Sequence, residues 1–391
     1  MRKQKWLLPL CILAVATVVI GTAFFRGIHS ADGDWMGLGR REVLSLADGW
    51  EMADGTAAEP LPTALTLSAD GSATVSRALP TELAEGRELY IQTNYQPVEA
   101  WLDGQALAVR GISADLRART HSELPWVSLT LPEDCAGGRL TLRLAGTGSK
   151  PQTELFRVLL GRESDVELVL FRDALMPMLL CMLMLLLAFT LFCFALGEWR
   201  RYKDYNFGGV LLITLFVECA CVWFFTDSTI QGMAFLGNDT FFLFNVFGYL
   251  LFPLPFVLYM RGCLKRGRRV LDTLSVALCA HAVIEGLLLL FGGFDTARAV
   301  STSHMLLAAG VAAMCVFTWR DQRARREKRP TELLIGLLIL AVSGLRAMYS
   351  YYFLHNPDNS SFFRYGTFVY LVMLAVNALR TDVGFVFKAR S

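Results

Sequence analysis

From about residue 174 onward the chain is a succession of apolar runs separated by short polar gaps. Seven runs fall at about 174–196, 207–226, 240–260, 270–292, 301–319, 331–353 and 365–379. Roughly 17–25 apolar residues are needed to cross the ~30 Å hydrocarbon layer of a bilayer. Each run therefore reads as a membrane-crossing helix, the last being short for one. A further run, Trp6 to Phe25, comes after the basic start Met1-Arg2-Lys3-Gln4-Lys5. Gly21-Thr22-Ala23 offers small residues at a spacing suited to signal-peptidase cleavage, whereas the length of the run favours a retained signal anchor. In either case the polar region from residue 26 is exported.

Residues 31–172 carry a different period. Glu88–Thr93, Val98–Leu102 and the segments 126–131, 139–144 and 155–160 alternate apolar with polar side chains or are rich in β-formers. A strand with one buried face requires that alternation. Asp103-Gly104, between two such segments, is a strong two-residue hairpin signal. Short strands with turns between them predict an antiparallel sandwich of jelly-roll type. The expected fold class is thus a multi-domain membrane protein, an all-β jelly-roll sandwich followed by a seven-helix transmembrane bundle. The expected divisions are 1–25 (anchor or signal peptide), 26–172 (extracytoplasmic β-sandwich), 173–380 (bundle) and 381–391 (short tail).

Charge adds orientation. Arg200, Arg201 and Lys203 lie in one gap; Arg261, Lys265, Arg266, Arg268 and Arg269 in another; Arg320, Arg323, Arg325, Arg326, Lys328 and Arg329 in a third. The intervening gaps hold no basic residue (227–239), Arg298 alone, and Arg364 alone. This positive-inside alternation places the β domain outside and the tail in the cytoplasm. A net charge of +2 over 391 residues gives no general attraction to nucleic acid. Of nine cysteines only Cys135 falls in the soluble part, so no disulfide is expected within it. No His/Cys cluster has metal-ligand spacing, and no cofactor is implied.

The order of motifs in the β region, Asp48-Gly49-Trp50, Leu79-Pro80, Leu89-Tyr90, Val98-Glu99-Ala100-Trp101-Leu102-Asp103-Gly104, Trp126 to Pro132 and Leu140-Thr141-Leu142, resembles galactose-binding-like jelly rolls, including the sugar-binding modules of family 2 glycoside hydrolases. With Val158-Leu159-Leu160-Gly161 leading into the helices, the whole chain resembles the bacterial seven-transmembrane receptors with diverse intracellular signalling modules. That resemblance implies a receptor whose members commonly continue into an output domain such as a GGDEF cyclase. Here about a dozen residues come after the last run, which by that resemblance implies either a receptor without its own output, signalling through a partner, or a truncated one.

The candidate ligand-binding residues of the β domain are Tyr95, Trp101 and Trp126 as aromatic platforms for a sugar face, with Asp103, Arg117, Arg119 and His121 as hydrogen-bonding groups. For the tryptophans, packing within the sandwich is the commoner reading. Within the bundle, Glu218, His281, Glu285 and Arg346 are ionisable residues at a depth where charges are costly and normally paired. His281 and Glu285 are four apart and share a face, and Arg346 is expected to pair with Glu218 or Glu285. The Pro253/Pro255 pair is expected to break or kink the third run. The leading expectation is a non-enzymatic sensor that binds a small extracellular ligand, a carbohydrate or related metabolite, and relays occupancy to a cytoplasmic signalling protein. Lipid is the surrounding partner, and a homodimer is compatible with this. The alternatives are an ion-coupled transporter using the intramembrane Glu, His and Arg residues, and a membrane enzyme modifying cell-surface polysaccharide.

Overall fold

The computed structural model describes residues 43–81, 87–108, 125–146, 152–201, 207–233, 238–325, 329–354, 358 and 360–380. The N-terminal apolar run, the segment holding Arg117, Arg119 and His121, and the tail 381–391 lie outside the described residues.

The strands come first: β1 (Leu44–Ser45), β2 (Glu51–Met52), β3 (Thr63–Thr66), β4 (Ser72–Ala78), β5 (Glu88–Thr93), β6 (Val98–Leu102), β7 (Gln105–Leu107), β8 (Trp126–Thr130), β9 (Arg139–Ala145) and β10 (Gln152–Gly161). They form two antiparallel sheets. The first runs β1-β10-β5-β8 with β3 also paired to β10, and the second runs β2-β4-β9-β6-β7. The hairpin turn between β6 and β7 has positive φ at both Asp103 (47°) and Gly104 (83°), as a two-residue hairpin matched to strand twist needs.

Alternation places the core. On β9, Leu140, Leu142 and Leu144 are fully buried, and on β6 Val98, Ala100 and Leu102 point the same way. They meet Leu89 and Ile91 of β5 and Val127 and Leu129 of β8 in one apolar cluster between the sheets. The outer face of the second sheet carries exposed ion pairs, Arg139–Glu51 and Arg143–Asp70, each worth little to stability.

The first sheet does not alternate. β5 and β10 are buried almost throughout, because a second layer covers their other side. The helices are α1 (Glu163–Arg201), α2 (Phe207–Thr226), α3 (Asn238–Leu251), α4 (Pro253–Cys263), α5 (Arg268–Leu290), α6 (Thr296–Arg325), α7 (Arg329–Tyr349) and α8 (Ser361–Arg380), with a 3-10 turn at Thr229–Met233 and a π turn at Ser350–Leu354. Helix α1 begins one residue after β10 ends, not near 174 as hydropathy suggests. Its first turns are polar (Glu163, Asp165, Glu167), so an apolar window misses them. Their apolar side, Val166 and Leu170, packs on Tyr90, Trp126 and Leu159 from the outer face of the first sheet. Arg157 of β10 pairs with Asp173 of α1 at 2.7 Å.

Six spans are long and apolar enough to cross a membrane: Glu163–Arg201, Phe207–Thr226, Phe241–Cys263, Arg268–Leu290, Thr296–Asp321 and Leu333–Leu354; Ser361–Val376 is a shorter apolar helix. The chain is a multi-pass membrane protein with a β domain ahead of its helices. The third span is the α3–α4 pair, interrupted at Phe252 with Pro253 at the first helical position, where a missing N–H costs nothing. Small residues bring α7 and α8 together: an added Cβ at Gly336 would sit 2.8 Å from the Tyr370 ring, and one at Gly366 would overlap Ser343.

The seam between sheet and bundle has no spare room. A Cβ at Gly232, in the 3-10 turn, would lie 2.6 Å from Leu170 Cδ1 and 3.2 Å from the Trp126 ring. Gly232→Val should therefore destabilise the full chain by about 1–3 kcal/mol through overpacking. Gly197→Val, where nothing lies within 4 Å, should be near neutral. Thermal melts of both variants in nanodiscs check the difference.

Candidate functional site

The residues expected to line a ligand site on the β domain do not converge. Trp126 is buried and faces the bundle. Tyr95, held at φ 59°, leans its ring on Phe242 of α3 with centroids 5.9 Å apart. Both belong to the seam. Trp101 is half-buried on the outer face of the second sheet, in register with Thr141 and Ala106. Asp103 ties its turn to the start of β9, its Oδ1 accepting the Arg139 N–H at 2.8 Å. Trp101 alone among the described aromatic candidates keeps a ring on an outward face.

The intramembrane residues regroup as well. His281 and Glu285 do share one face of α5 and are both buried, 3.9 Å apart. The cation at Glu285 is Arg298, at 3.5 Å. His281 Nε2 lies 2.9 Å from Ser303 Oγ, so the cluster ties α5 to α6. Arg346 forms no ion pair with Glu218 or Glu285 among the described residues. Its guanidinium lies instead over the Phe362 ring, 4.5 Å from the centroid, which satisfies charge through the ring face. Glu218 is exposed on α2, away from this cluster. Arg298 reads as a loop charge in the sequence because hydropathy starts the fifth run at 301. Helix α6 in fact begins at Thr296, where Asp295 Oδ1 accepts the N–H groups of Ala297 and Arg298.

What converges is the seam itself. A pocket of about 110 Å³ lies where the β5–β6 turn meets the ends of α2, α3, α6 and α7; its wall includes Asn94, Tyr95, Asp227, Asn245, Thr296 and Tyr351. Four polar atoms on this wall are inaccessible and without a hydrogen-bond partner: Asp227 Oδ2, Asn245 Nδ2, Tyr249 Oη and Thr296 Oγ1. Tyr249 Oη is turned towards Ser303 without hydrogen-bond geometry. A buried polar group without a partner costs about 1–3 kcal/mol, so these four mark the seam as a place where packing leaves polar groups unmatched. On the β side, Asn94 is fixed by donating its amide to the buried Glu154.

A larger cavity of about 340 Å³ lies among α2, α4, α5, α6 and α7. Its wall is almost wholly apolar, with Phe216, Phe256, Leu278 and Met314 among the lining side chains. Trp223, Tyr249, His304 and Ala347 line both spaces. The two spaces therefore adjoin, the smaller one under the β domain having the more polar wall. An apolar cavity such as the larger one stays dry and takes apolar groups.

Asp227 is the pivotal ionisable group. Burial pushes its carboxyl up to about 7 from an ordinary value of 3.8, and the like charge of Asp358 adds to the rise. A hydrogen bond from Ser360 and the charge of Arg364 oppose it. Arg364 is already engaged, 3.1 Å from Asp358. A carboxyl raised in the folded state favours folding at low pH, and that contribution is lost as pH rises through the folded value. The full chain should therefore lose stability between about pH 4 and pH 7 for this reason. Asp227→Asn should flatten that part of a melting-temperature profile. Asp54 and Asp70, held low by hydrogen bonds from Thr56 and Ser72, act below this window. The ion-pair cluster makes a separate prediction: Glu285→Ala should destabilise by about 2 kcal/mol. A double-mutant cycle with Arg298→Ala should return a coupling of about 1 kcal/mol.

Compared with protein-family models, curated proteins and solved structures, the chain has no match.

Proposed function

We propose that the protein is a membrane sensor in which the β domain, of jelly-roll type and extracytoplasmic, receives a small ligand and the helices carry the change across the bilayer. The observation that supports this reading is the direct fusion of β10 to α1, one residue apart, with the first sheet packed on α1 and the 3-10 turn. A domain joined by a flexible linker transmits little, whereas one whose sheet shares a core with a transmembrane helix moves that helix when it moves. The alternation of basic residues supports placing the far ends of the helices in the cytoplasm. There the basic segments around 261–269 and 320–325 would meet a partner protein. The resemblance to bacterial seven-transmembrane receptors favours the same role. Trp101, with Glu99 and Arg143 on the same outer face, is the place on the β domain where a carbohydrate ring would stack.

The test uses the full chain in nanodiscs with a library of saccharides and organic acids. Trypsin cleavage at 261–269, at the end far from the β domain, is the readout. A ligand that raises the melting temperature should change that cleavage rate. Inserting Gly-Gly-Ser between Gly161 and Glu163 should abolish the change while leaving binding in place. Ligands that stabilise the chain but leave cleavage untouched would refute the relay, and a library without a single binder would refute the ligand class.

A further inference from the structure

We infer that the seam pocket and the chamber behind it form one binding site for an amphipathic amine, with its ammonium group against Asp227 and its apolar body among the helices. This site lies apart from Trp101 and does not depend on the relay proposed above.

Charge selects the head group. Asp227 and Asp358 face a single guanidinium, Arg364, which is committed to Asp358. Asp227 lines the pocket and Arg364 does not. Ionised Asp227, which the Ser360 hydrogen bonds and the Arg364 charge offset only in part, therefore leaves negative charge at the pocket, and a carboxylate or phosphate would be repelled. Two further carboxylates, Glu154 and Asp295, act on Tyr351 from the rim, and neither sets a cation on the pocket wall. Geometry selects an amine over a metal ion. The wall offers one carboxylate oxygen, and no metal-binding group of His, Cys, Asp and Glu exists among the described residues. It does offer aromatic faces from several sides, Tyr95, Trp223, Tyr249 and Tyr351. Ring faces around a carboxylate suit an organic ammonium, which is held by cation–π attraction and hydrogen bonding together.

A side-chain turn would bring the unpartnered atoms, inaccessible as they stand, to a head that also carries a hydroxyl or carbonyl. Thr296 Oγ1 and Tyr249 Oη either donate or accept, and Asn245 Nδ2 donates. The tail is set by the chamber. Its wall beyond Trp223, Tyr249 and His304 is apolar, and its ~340 Å³ accommodates an aryl group or a short alkyl chain but not a sugar.

Three compounds sharing one apolar body separate the terms: 4-phenylbutylamine, 4-phenylbutanol and 4-phenylbutyrate. Each is titrated against the full chain in phosphatidylcholine nanodiscs at pH 8, where Asp227 is ionised, following the thermal melt. The expected result is saturable stabilisation by the amine, with an apparent Kd at least about tenfold below that of the alcohol and no response to the acid. Asp227→Asn should remove the preference for amine over alcohol. Thr296→Val should weaken both. Equal binding of all three compounds would overturn the inference in favour of an unselective apolar cavity. Saturable binding by none would mean that the pocket holds water only. Should Asp227→Asn fail to fold, the ranking of the three head groups on the native chain decides the question alone. Amine binding with unchanged trypsin cleavage at 261–269 would uphold the site, because the site does not depend on the relay.

Discussion

The arrangement depends on one packed layer, the outer face of the first sheet against the start of α1. Tyr90, Trp126 and Leu159 from the sheet meet Val166 and Leu170 from the helix, each side chain contributing about 2 kcal/mol by removal from water. Helix α1 is thereby longer than a membrane requires, 39 residues. Its polar first turns are structure belonging to the β domain, and the rest belongs to the bundle. One helix is part of two cores, so neither can shift without the other.

That layer explains where the unsatisfied polar groups collect. Each sheet and each helix satisfies its backbone internally, but a seam between a β domain and the ends of several helices cannot match every side chain. The apolar contacts at Trp126, Gly232 and Phe242 close one part of the seam. The other part, under Asn94 and Tyr95, stays open as a pocket around Asp227. Nearby, pairing is complete: Glu285 has Arg298, and Asp358 has Arg364. Asp227, by contrast, has hydrogen bonds from Ser360 but shares its nearest cation with Asp358, and that gives the pocket its chemical character.

Much of the fold is legible in the sequence. Period-two alternation finds β6, β8 and β9, a richness in β-formers finds β5 and β10, Asp103-Gly104 finds its hairpin, and length with hydropathy finds the crossings. Pro253 marks the break in the third. The errors share one cause. Hydropathy reports how apolar a segment is, not what touches it, so it starts α1 and α6 late and reads Arg298 and Arg364 as loop charges. Their role as partners of Glu285 and Asp358 appears only once helices from distant parts of the chain are side by side. Likewise, an aromatic at the end of a strand looks the same in sequence whether it awaits a sugar or packs on a helix, as Tyr95 and Trp126 do. Asp227 sits one residue past an apolar run, where any carboxylate passes for a solvated loop. Only its neighbours in space, Asp358 and Arg364, distinguish it.

The central claim is that β domain and bundle form one body through this seam. Placing the photoreactive residue p-benzoylphenylalanine at position 95 in the full chain, in intact membranes, tests it directly. On irradiation, cross-links mapped by mass spectrometry should fall within α3, around Phe242. Cross-links confined to the β domain, or spread over lipid and unrelated helices, would contradict the claim.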